Sequence, residues 1–140
     1  MTLYARALSN FATLPQEMEF NCNRYNIYSA VDRILKPNAR EIIRTDIEIR
    51  TPPNTISILG THMNNWYRSL DIASCTVINS AKGEHIYVPV INNSKQDLRI
   101  FIGLIIAELI VVNVGGSGPV VEFTKLSPFT KSGVVKRELE

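Results

Sequence analysis

The chain is short of the residues that build disulfide frameworks and metal sites. Only two of its 140 residues are cysteines, and Cys22 and Cys75 form no Cys-x-x-Cys pair, so no disulfide framework is indicated. Its two histidines, His62 and His85, are too few for a metal site, which usually needs three or four ligands. We therefore expect free thiols in a reducing compartment and histidines that lie on the surface or in hydrogen bonds.

The sequence also lacks a dominant charge and a long apolar run. Lys and Arg number 15 against 13 Asp and Glu, a net charge of +2, without the basic cluster that a nucleic-acid surface needs. The amino-terminal residues do not follow the pattern of a secretory signal. The richest apolar run, residues 100–114, contains Gly103, Glu108 and Asn113 and falls short of the roughly 20 apolar residues of a membrane helix. We expect no nucleic-acid partner, no membrane partner and a cytoplasmic location.

What the sequence does contain is the period-two pattern of β-strands. A length of 140 residues fits one domain with its own core. β-Branched residues alternate with polar ones at residues 46–50 and 56–58, and they recur with the same period of two at Ile86, Val88 and Val90. Turn signals rich in Pro, Gly and Asn recur every 10 to 20 residues or so, a spacing typical of all-β sandwiches and barrels.

Three further segments carry predictions of their own. Residues 64–72 predict a short amphipathic helix, and the apolar run over residues 100–114 predicts two buried strands. So few residues from 100 to 112 are polar that both faces need cover, which a symmetric neighbour could supply. The glycines after residue 114 predict a flexible joint, so we divide the chain into a β domain over 1–118 and an arm over 119–140 that could cross to a neighbouring subunit.

Two stretches resemble motifs of a known family. Tyr25-Asn26-Ile27-Tyr28-Ser29-Ala30 is similar to the first motif of the trimeric dUTPases, and Gly103 to Leu109 is similar to their fourth. The resemblance runs from Tyr25 to Val114. It implies a dUTPase-like β-sandwich or distorted, jelly-roll-like barrel, assembled as a homotrimer, whose activity is the hydrolysis of dUTP to dUMP and pyrophosphate.

Carried over position by position, the resemblance places unusual residues at the family's catalytic positions. Asn26 stands where the family has an aspartate that helps to hold magnesium, and Thr61 and His62 stand where it has the arginine and serine of its second motif. Asn79 replaces the aspartate that activates water, with Lys82 nearby and no tyrosine, and Glu108 replaces a glutamine. An amide cannot accept a proton near neutral pH, and Glu108 would repel a triphosphate.

These replacements favour the hypothesis of a non-catalytic, virus-encoded dUTPase-like protein with no cofactor and no catalytic residues. It would act as a homotrimer that binds an unidentified protein, in the host cytoplasm if viral. The vestigial pocket would comprise Asn26, Thr61, His62, Asn79, Lys82 and Glu108, and the interaction patch would comprise Met63, Trp66 and Tyr67.

Other interpretations remain open at this stage. One alternative is a divergent but active nucleotide hydrolase, which would use magnesium and the acids Asp32, Asp71, Glu84 or Glu108. Another is a structural or assembly trimer of a virus particle. Asn26 and Asn79 could also be ordinary turn residues, and Glu108 could lie on the solvent face of a sheet.

Overall fold

The computed structural model of the protein describes residues 3–18, 23–66, 68–74, 76–79 and 82–114. Within these residues nearly all regular structure is β-strand, and every strand pair is antiparallel. The predicted all-β class is therefore confirmed. In chain order the elements are β1 (Tyr4–Ala7), β2 (Gln16–Glu17), β3 (Arg24–Tyr28), β4 (Arg33–Leu35), β5 (Arg40–Arg50), β6 (Thr55–Gly60), α1 (Met63–Trp66), β7 (Leu70–Ile72), β8 (Thr76–Ile78), β9 (Glu84–Asn92), β10 (Leu98–Ile100) and β11 (Ile105–Asn113).

Two sheets and a small ribbon make up the sandwich. One sheet has the strand order β1-β5-β9-β7, the other has the order β2-β3-β11-β6-β8, and β10 pairs with β4 alone. In the five-stranded sheet, β11 lies between β3 and β6. This order brings three segments that are far apart in the sequence side by side, and the resemblance places its first, second and fourth motifs on or next to them.

The core lies between the sheets and explains why the period-two segments are strands. On β5 and β9 the inward positions are almost fully buried, and most of them are aliphatic, with Thr45 and Asn92 as buried polar exceptions. Removing one such side chain from water stabilises the fold by about 1.5 to 3 kcal/mol. The five-stranded sheet supplies a matching apolar face. The fully buried residues of this core include Tyr25, Ile27, Leu35, Ile43, Ile47, Ile49, Ile86, Val88, Val90, Ile106 and Leu109.

A bulge in β5 interrupts the regular alternation. The register with β9 shifts between Arg44 and Glu48, and Asp46 has a φ of 52°, a left-handed conformation that is uncommon for residues other than glycine. The Asp46 carboxylate accepts a hydrogen bond from Ser9 Oγ at 2.8 Å and lies 3.3 Å from Arg44 Nε. Its backbone oxygen accepts from the amide of Leu8 at 2.8 Å. The bulge therefore fastens the segment after β1 to the sheet.

Two local predictions need correction. The predicted helix over residues 64–72 is instead the single turn α1 followed by the strand β7, because Leu70 is buried and pairs with Asn92 on β9. The run over residues 100–114, predicted as two buried strands, contains one long strand, β11, after the last residue of β10. Ile100 ends β10, and a turn at residues 101–104 with Gly103 at a φ of 89° separates the two.

Some predictions fall outside the described residues. The carboxy-terminal arm is among them, so the division of the chain at residue 118 stays a prediction. Cys22 and Cys75 are outside as well. Among the described helices none has the length and apolar character needed to cross a bilayer.

Candidate functional site

A row of polar side chains crosses the five-stranded sheet on the face opposite the core. Asn26 on β3 lies opposite Glu108 on β11, and Glu108 lies opposite Gly60 on β6. Residues directly opposite each other on antiparallel strands point to the same face. Arg24 shares that face because it is two residues before Asn26 on the same strand. We call Arg24, Asn26, His62 and Glu108 the polar row.

His62 joins the row from the segment after β6. It is 3% exposed, and its Nε2 lies 2.7 Å from Oδ1 of Asn26. On the other side of the ring, the backbone amide of Asn64 donates to Nδ1 at 3.0 Å. Because Nδ1 accepts, the neutral ring carries its proton on Nε2 and donates it to Asn26.

Burial favours the neutral form of this histidine. The pKa of His62 is lowered from its usual value by desolvation of the ring, and the negative charge of Glu108 opposes that shift in part. The prediction that His62 forms hydrogen bonds agrees with these contacts. Its role as the partner of Asn26 was not evident from the sequence, because the two residues are 36 positions apart.

Glu108 is the buried carboxylate of the row, and it is paired. Arg24 Nη1 donates to Oε1 at 3.1 Å and to Oε2 at 2.9 Å. The side chain of Glu108 is 9% exposed and that of Arg24 is 40% exposed. The idea that Glu108 faces solvent is therefore wrong. Its charge is compensated within the row, which also weakens the predicted repulsion of a triphosphate.

Several neighbours that the sequence did not single out hold the row in place. Tyr28 donates from its hydroxyl to Gln16 Oε1 at 3.2 Å, and Asn26 Nδ2 lies 3.5 Å from the same hydroxyl. Asn65, 1% exposed, donates from Nδ2 to the backbone oxygen of Ile105 at 2.9 Å and ties α1 to the start of β11. Tyr28 could have been found from the period of two along β3, but Gln16 carries no sequence signal.

Thr61, predicted as part of the pocket, has a structural contact. Its Oγ1 accepts a hydrogen bond from the backbone amide of Ile72 at 3.0 Å, which joins the end of β6 to β7. Thr61 precedes His62 directly, so this bond also fixes the backbone from which His62 reaches the polar row.

Asn79 and Lys82 lie away from the polar row within one chain. Asn79 follows Ile78, which pairs with Ser57 on β6, three residues before Gly60. At about 3.3 Å per residue, this places Asn79 some 10 Å or more along the strand from the row. Both Asn79 and Lys82 are exposed. The single chain therefore brings Asn26, His62 and Glu108 together and leaves Asn79 and Lys82 apart.

A cavity of about 400 Å³ lies at the edge strand β1, beside Lys82 and Gly83. Arg6 forms an ion pair with Glu48 at 2.8 Å, and the guanidinium of Arg50 lies 5.0 Å from the centre of the Tyr4 ring. The exposed guanidinium groups of Arg6 and Arg50 thus already interact with neighbouring side chains.

The acids considered for an alternative catalytic centre do not converge. Asp32 accepts from the backbone amide of Ile102 at 3.2 Å, and Asp71 accepts from Asn93 Nδ2 at 2.6 Å. Glu84 begins β9, while Asp71 pairs with Ile91 near the other end of that strand. Within the described ranges no three His, Cys, Asp or Glu residues are grouped so that they could hold a metal ion.

The predicted interaction patch has little support from the structure. Met63 is 67% exposed. The side chain of Trp66 and the whole of Tyr67 lie outside what the structure describes. One exposed methionine does not define a docking surface.

Comparison with known proteins decides the family. The sequence profile of the dUTPase family matches residues 14–134. This chain belongs to the dUTPase family. It is 30% identical over 136 residues to the deoxyuridine 5'-triphosphate nucleotidohydrolase of swinepox virus (strain Kasza), an alignment that spans 95% of this chain and 94% of the relative. A second relative, the enzyme of the same name from Yaba monkey tumor virus (strain VR587), is 30% identical over 112 residues, which cover 77% of this chain and 76% of the relative.

The solved structures agree on the fold. A mutant dUTPase from phage phi11 of S. aureus superposes with a TM-score of 0.74 at 20% identity, covering 85% of this chain and 95% of the phage chain. The predicted resemblance to dUTPases and the predicted sandwich are confirmed. Viral proteins are prominent among the relatives, in line with the viral character inferred from the sequence.

The same comparisons overturn the predicted loss of function. The relatives that align over most of the chain are named as dUTP nucleotidohydrolases, which contradicts the hypothesis of a non-catalytic interaction module. The statement that the chain is not an enzyme is corrected on the same ground. The prediction of no cofactor is contradicted too, since the phage protein is described as coordinating a structural Mg(II) ion. Nothing in the comparisons supports an unidentified protein partner, whereas family membership supports self-association.

The fit of the polar row to magnesium depends on the oxygen ligands that the row can offer. Mg²⁺ prefers carboxylate, water and phosphate oxygens in near-octahedral geometry. In the row, Oδ1 of Asn26 is bonded to His62, and both oxygens of Glu108 are bonded to Arg24. This arrangement does not fit a magnesium ion held by the protein ligands of the row alone.

Proposed function

We propose that this protein hydrolyses dUTP to dUMP and pyrophosphate. The observation that carries the proposal is the match of the dUTPase family to residues 14–134. The polar row supports it, because Asn26, His62 and Glu108, which the resemblance assigns to the first, second and fourth motifs, lie together on one sheet face. A fold alone would not carry an activity.

The charge of the row is compatible with an anionic substrate. Arg24 offsets the charge of Glu108 while its side chain remains 40% exposed. Guanidinium groups recognise phosphate oxygens through several parallel N–H donors. In this proposal Arg24 and Asn26 bind the triphosphate, and Glu108 orients Arg24.

The residue at the water-activating position shapes the expected rate. Asn79 can orient a water molecule through its amide, but it cannot take up the proton, which then passes to solvent. A positioned general base contributes about 10²- to 10⁴-fold to catalysis. We therefore propose turnover that is slower than a carboxylate at this position would give.

The separation of Asn79 from the polar row favours a site shared between subunits. A homotrimer, the assembly implied by the family, would let Asn79 and Lys82 of one subunit approach the polar row of another. Size-exclusion chromatography with light scattering tests this assembly. A monomer at assay concentration would contradict it. The cytoplasmic location remains a prediction without a structural test.

The activity is tested by measuring pyrophosphate release from dUTP in magnesium buffer, with dTTP, dCTP and UTP as competing substrates. We expect turnover of dUTP that exceeds turnover of the other three. Asn26→Ala should reduce it, and Lys36→Ala, a change at an exposed residue that pairs with Asp97 on the surface, should leave it unchanged. Release at the buffer rate, or equal release from all four nucleotides, would refute the proposal.

A further inference from the structure

The orientation of the Asn26 amide is set by a chain of donors that starts in the backbone. The amide N–H of Asn64 can only donate, and it points at Nδ1 of His62. The ring must then donate from Nε2, and the atom of Asn26 that receives this bond at 2.7 Å must be the acceptor, Oδ1. The orientation of the amide thus follows from a group whose polarity is fixed.

This orientation leaves the NH₂ group of Asn26 as the available end of the side chain. Nδ2 lies 3.5 Å from the hydroxyl of Tyr28, a long contact that occupies at most one of its two N–H bonds. The other N–H has no partner among the residues that the structure describes. Asn26 is only partly buried, so a ligand can reach it.

The neighbouring residue on this face is also a donor. Arg24 uses Nη1 for both oxygens of Glu108, which leaves its other guanidinium nitrogens for a second acceptor. Alternate residues on a strand are about 6.6 Å apart, so Arg24 and Asn26 present N–H groups over a span that suits a chain of phosphates. An acceptor-only aspartate at position 26 could not take part in this way.

We propose that Asn26 binds a phosphate oxygen of the nucleotide directly as a hydrogen-bond donor, and that His62 is the positioning residue that turns the amide toward it. This inference rests on the proposed function, since it assigns the phosphate contact of the same site. It differs from what the family resemblance implies for this position, where the side chain is an acceptor that helps to hold magnesium.

The two roles predict opposite effects of Asn26→Asp. The carboxylate has nearly the same shape and still accepts the bond from His62 Nε2, but it meets a phosphate with a negative charge instead of an N–H. We expect the Kd of the non-hydrolysable analogue dUpNHpp, measured by calorimetry, to rise about tenfold or more in magnesium buffer, the range of one lost charge-assisted hydrogen bond. Deoxyuridine, which has no phosphate, should bind equally to both proteins.

Each other outcome has a definite meaning. Tighter binding of dUpNHpp to the Asn26→Asp protein would overturn the inference and indicate a metal-holding position. An unchanged Kd would also overturn it, because the amide would then not touch the phosphates. If the unchanged protein bound no dUpNHpp at all, the proposed function would fail together with the inference.

The positioning role of His62 has its own test. Gln at position 62 can place an N–H donor near the Nε2 position, whereas Ala cannot. We expect His62→Ala to weaken dUpNHpp binding severalfold with deoxyuridine binding unchanged, and His62→Gln to restore most of the affinity. Equal losses in the two variants would overturn the role. Long-range ¹H–¹⁵N spectra of the unchanged protein add a readout that needs no variant, since a neutral His62 with its proton on Nδ1 would overturn the assignment.

Discussion

The ion pair between Arg24 and Glu108 offers a test of stability, because the nearly buried carboxylate of Glu108 depends on the charge of Arg24. Arg24→Met keeps most of the apolar stem and removes the charge. It leaves Glu108, 9% exposed, without the partner that compensates its desolvation. We expect a loss of about 2 kcal/mol in the free energy of unfolding, between the values typical of exposed and fully buried pairs.

The magnitude follows from the geometry of the pair. At 2.9 Å, the Coulomb attraction is about 1.4 kcal/mol in water and about 5.7 kcal/mol at an effective dielectric constant of 20. Desolvation and side-chain ordering oppose most of the larger value, and Arg24 is partly exposed to screening. We therefore expect a coupling energy of about 1.5 to 2 kcal/mol in a double-mutant cycle with Glu108→Gln.

The chain contains a matched control. Lys36 and Asp97 are also 2.9 Å apart, but their side chains are 74% and 49% exposed. Their coupling in the cycle Lys36→Met with Asp97→Asn should be no more than about 0.5 kcal/mol. The assay is urea unfolding at one fixed protein concentration, because self-association makes stability depend on concentration. Equal coupling energies in the two cycles would refute the reasoning from burial.

Three further predictions concern other parts of the molecule. Because the pKa of His62 is lowered on folding, the imidazole binds a proton more readily in the unfolded chain, so the stability present above about pH 6.5 should fall as the pH drops below that value. The urea midpoint of His62→Gln should fall less over the same pH range, with His85→Gln as the control. Identical pH profiles for the unchanged protein and both variants would contradict the assignment of this effect to His62. Asn79→Asp should raise kcat about tenfold or more with little change in KM, and steady-state kinetics showing an unchanged or lower kcat would count against a water-orienting role. At the β5 bulge, Asp46→Ala should lower the free energy of unfolding by about 2 kcal/mol, because the contacts to Ser9 and Arg44 are lost. The free energy of unfolding of Asp46→Gly should be about 1 kcal/mol higher than that of Asp46→Ala, because glycine adopts the φ of 52° without strain. Equal urea midpoints for the two variants would contradict the argument from backbone strain.

The strands were predictable where one face of a sheet is apolar and the other is exposed to solvent. The alternation around Ile47 and Ile49 gave the end of β5, and that around Ile86 and Val88 gave β9, since both are set by the period of the side chains. The bulge at Asp46 was not predictable, because the hydrogen bonds that stabilise it come from Ser9 and Leu8, 37 and 38 positions away. The strand β7 was missed because Leu70 is buried only by tertiary packing, which overrides a weak helical pattern.

The candidate site was likewise predictable only in part. The motif resemblance located Asn26, His62 and Glu108, but not what each of them contacts. Arg24 and Glu108 are 84 positions apart, and their pairing changes Glu108 from a repulsive charge into a compensated one. Interpretation of isolated motif positions therefore led to the wrong hypothesis of lost function, since it treated each replacement alone and took no account of the partners that the fold supplies.

The central claim, that the chain cleaves dUTP between the α- and β-phosphates, is tested most directly by ³¹P NMR of dUTP incubated with the purified protein and magnesium. The account predicts that the three triphosphate signals decline while pyrophosphate and dUMP form in equal molar amounts, so that the pyrophosphate signal, from two equivalent phosphorus atoms, grows to twice the dUMP signal. Triphosphate signals that persist unchanged beside folded protein, or the appearance of orthophosphate and dUDP instead, would contradict it.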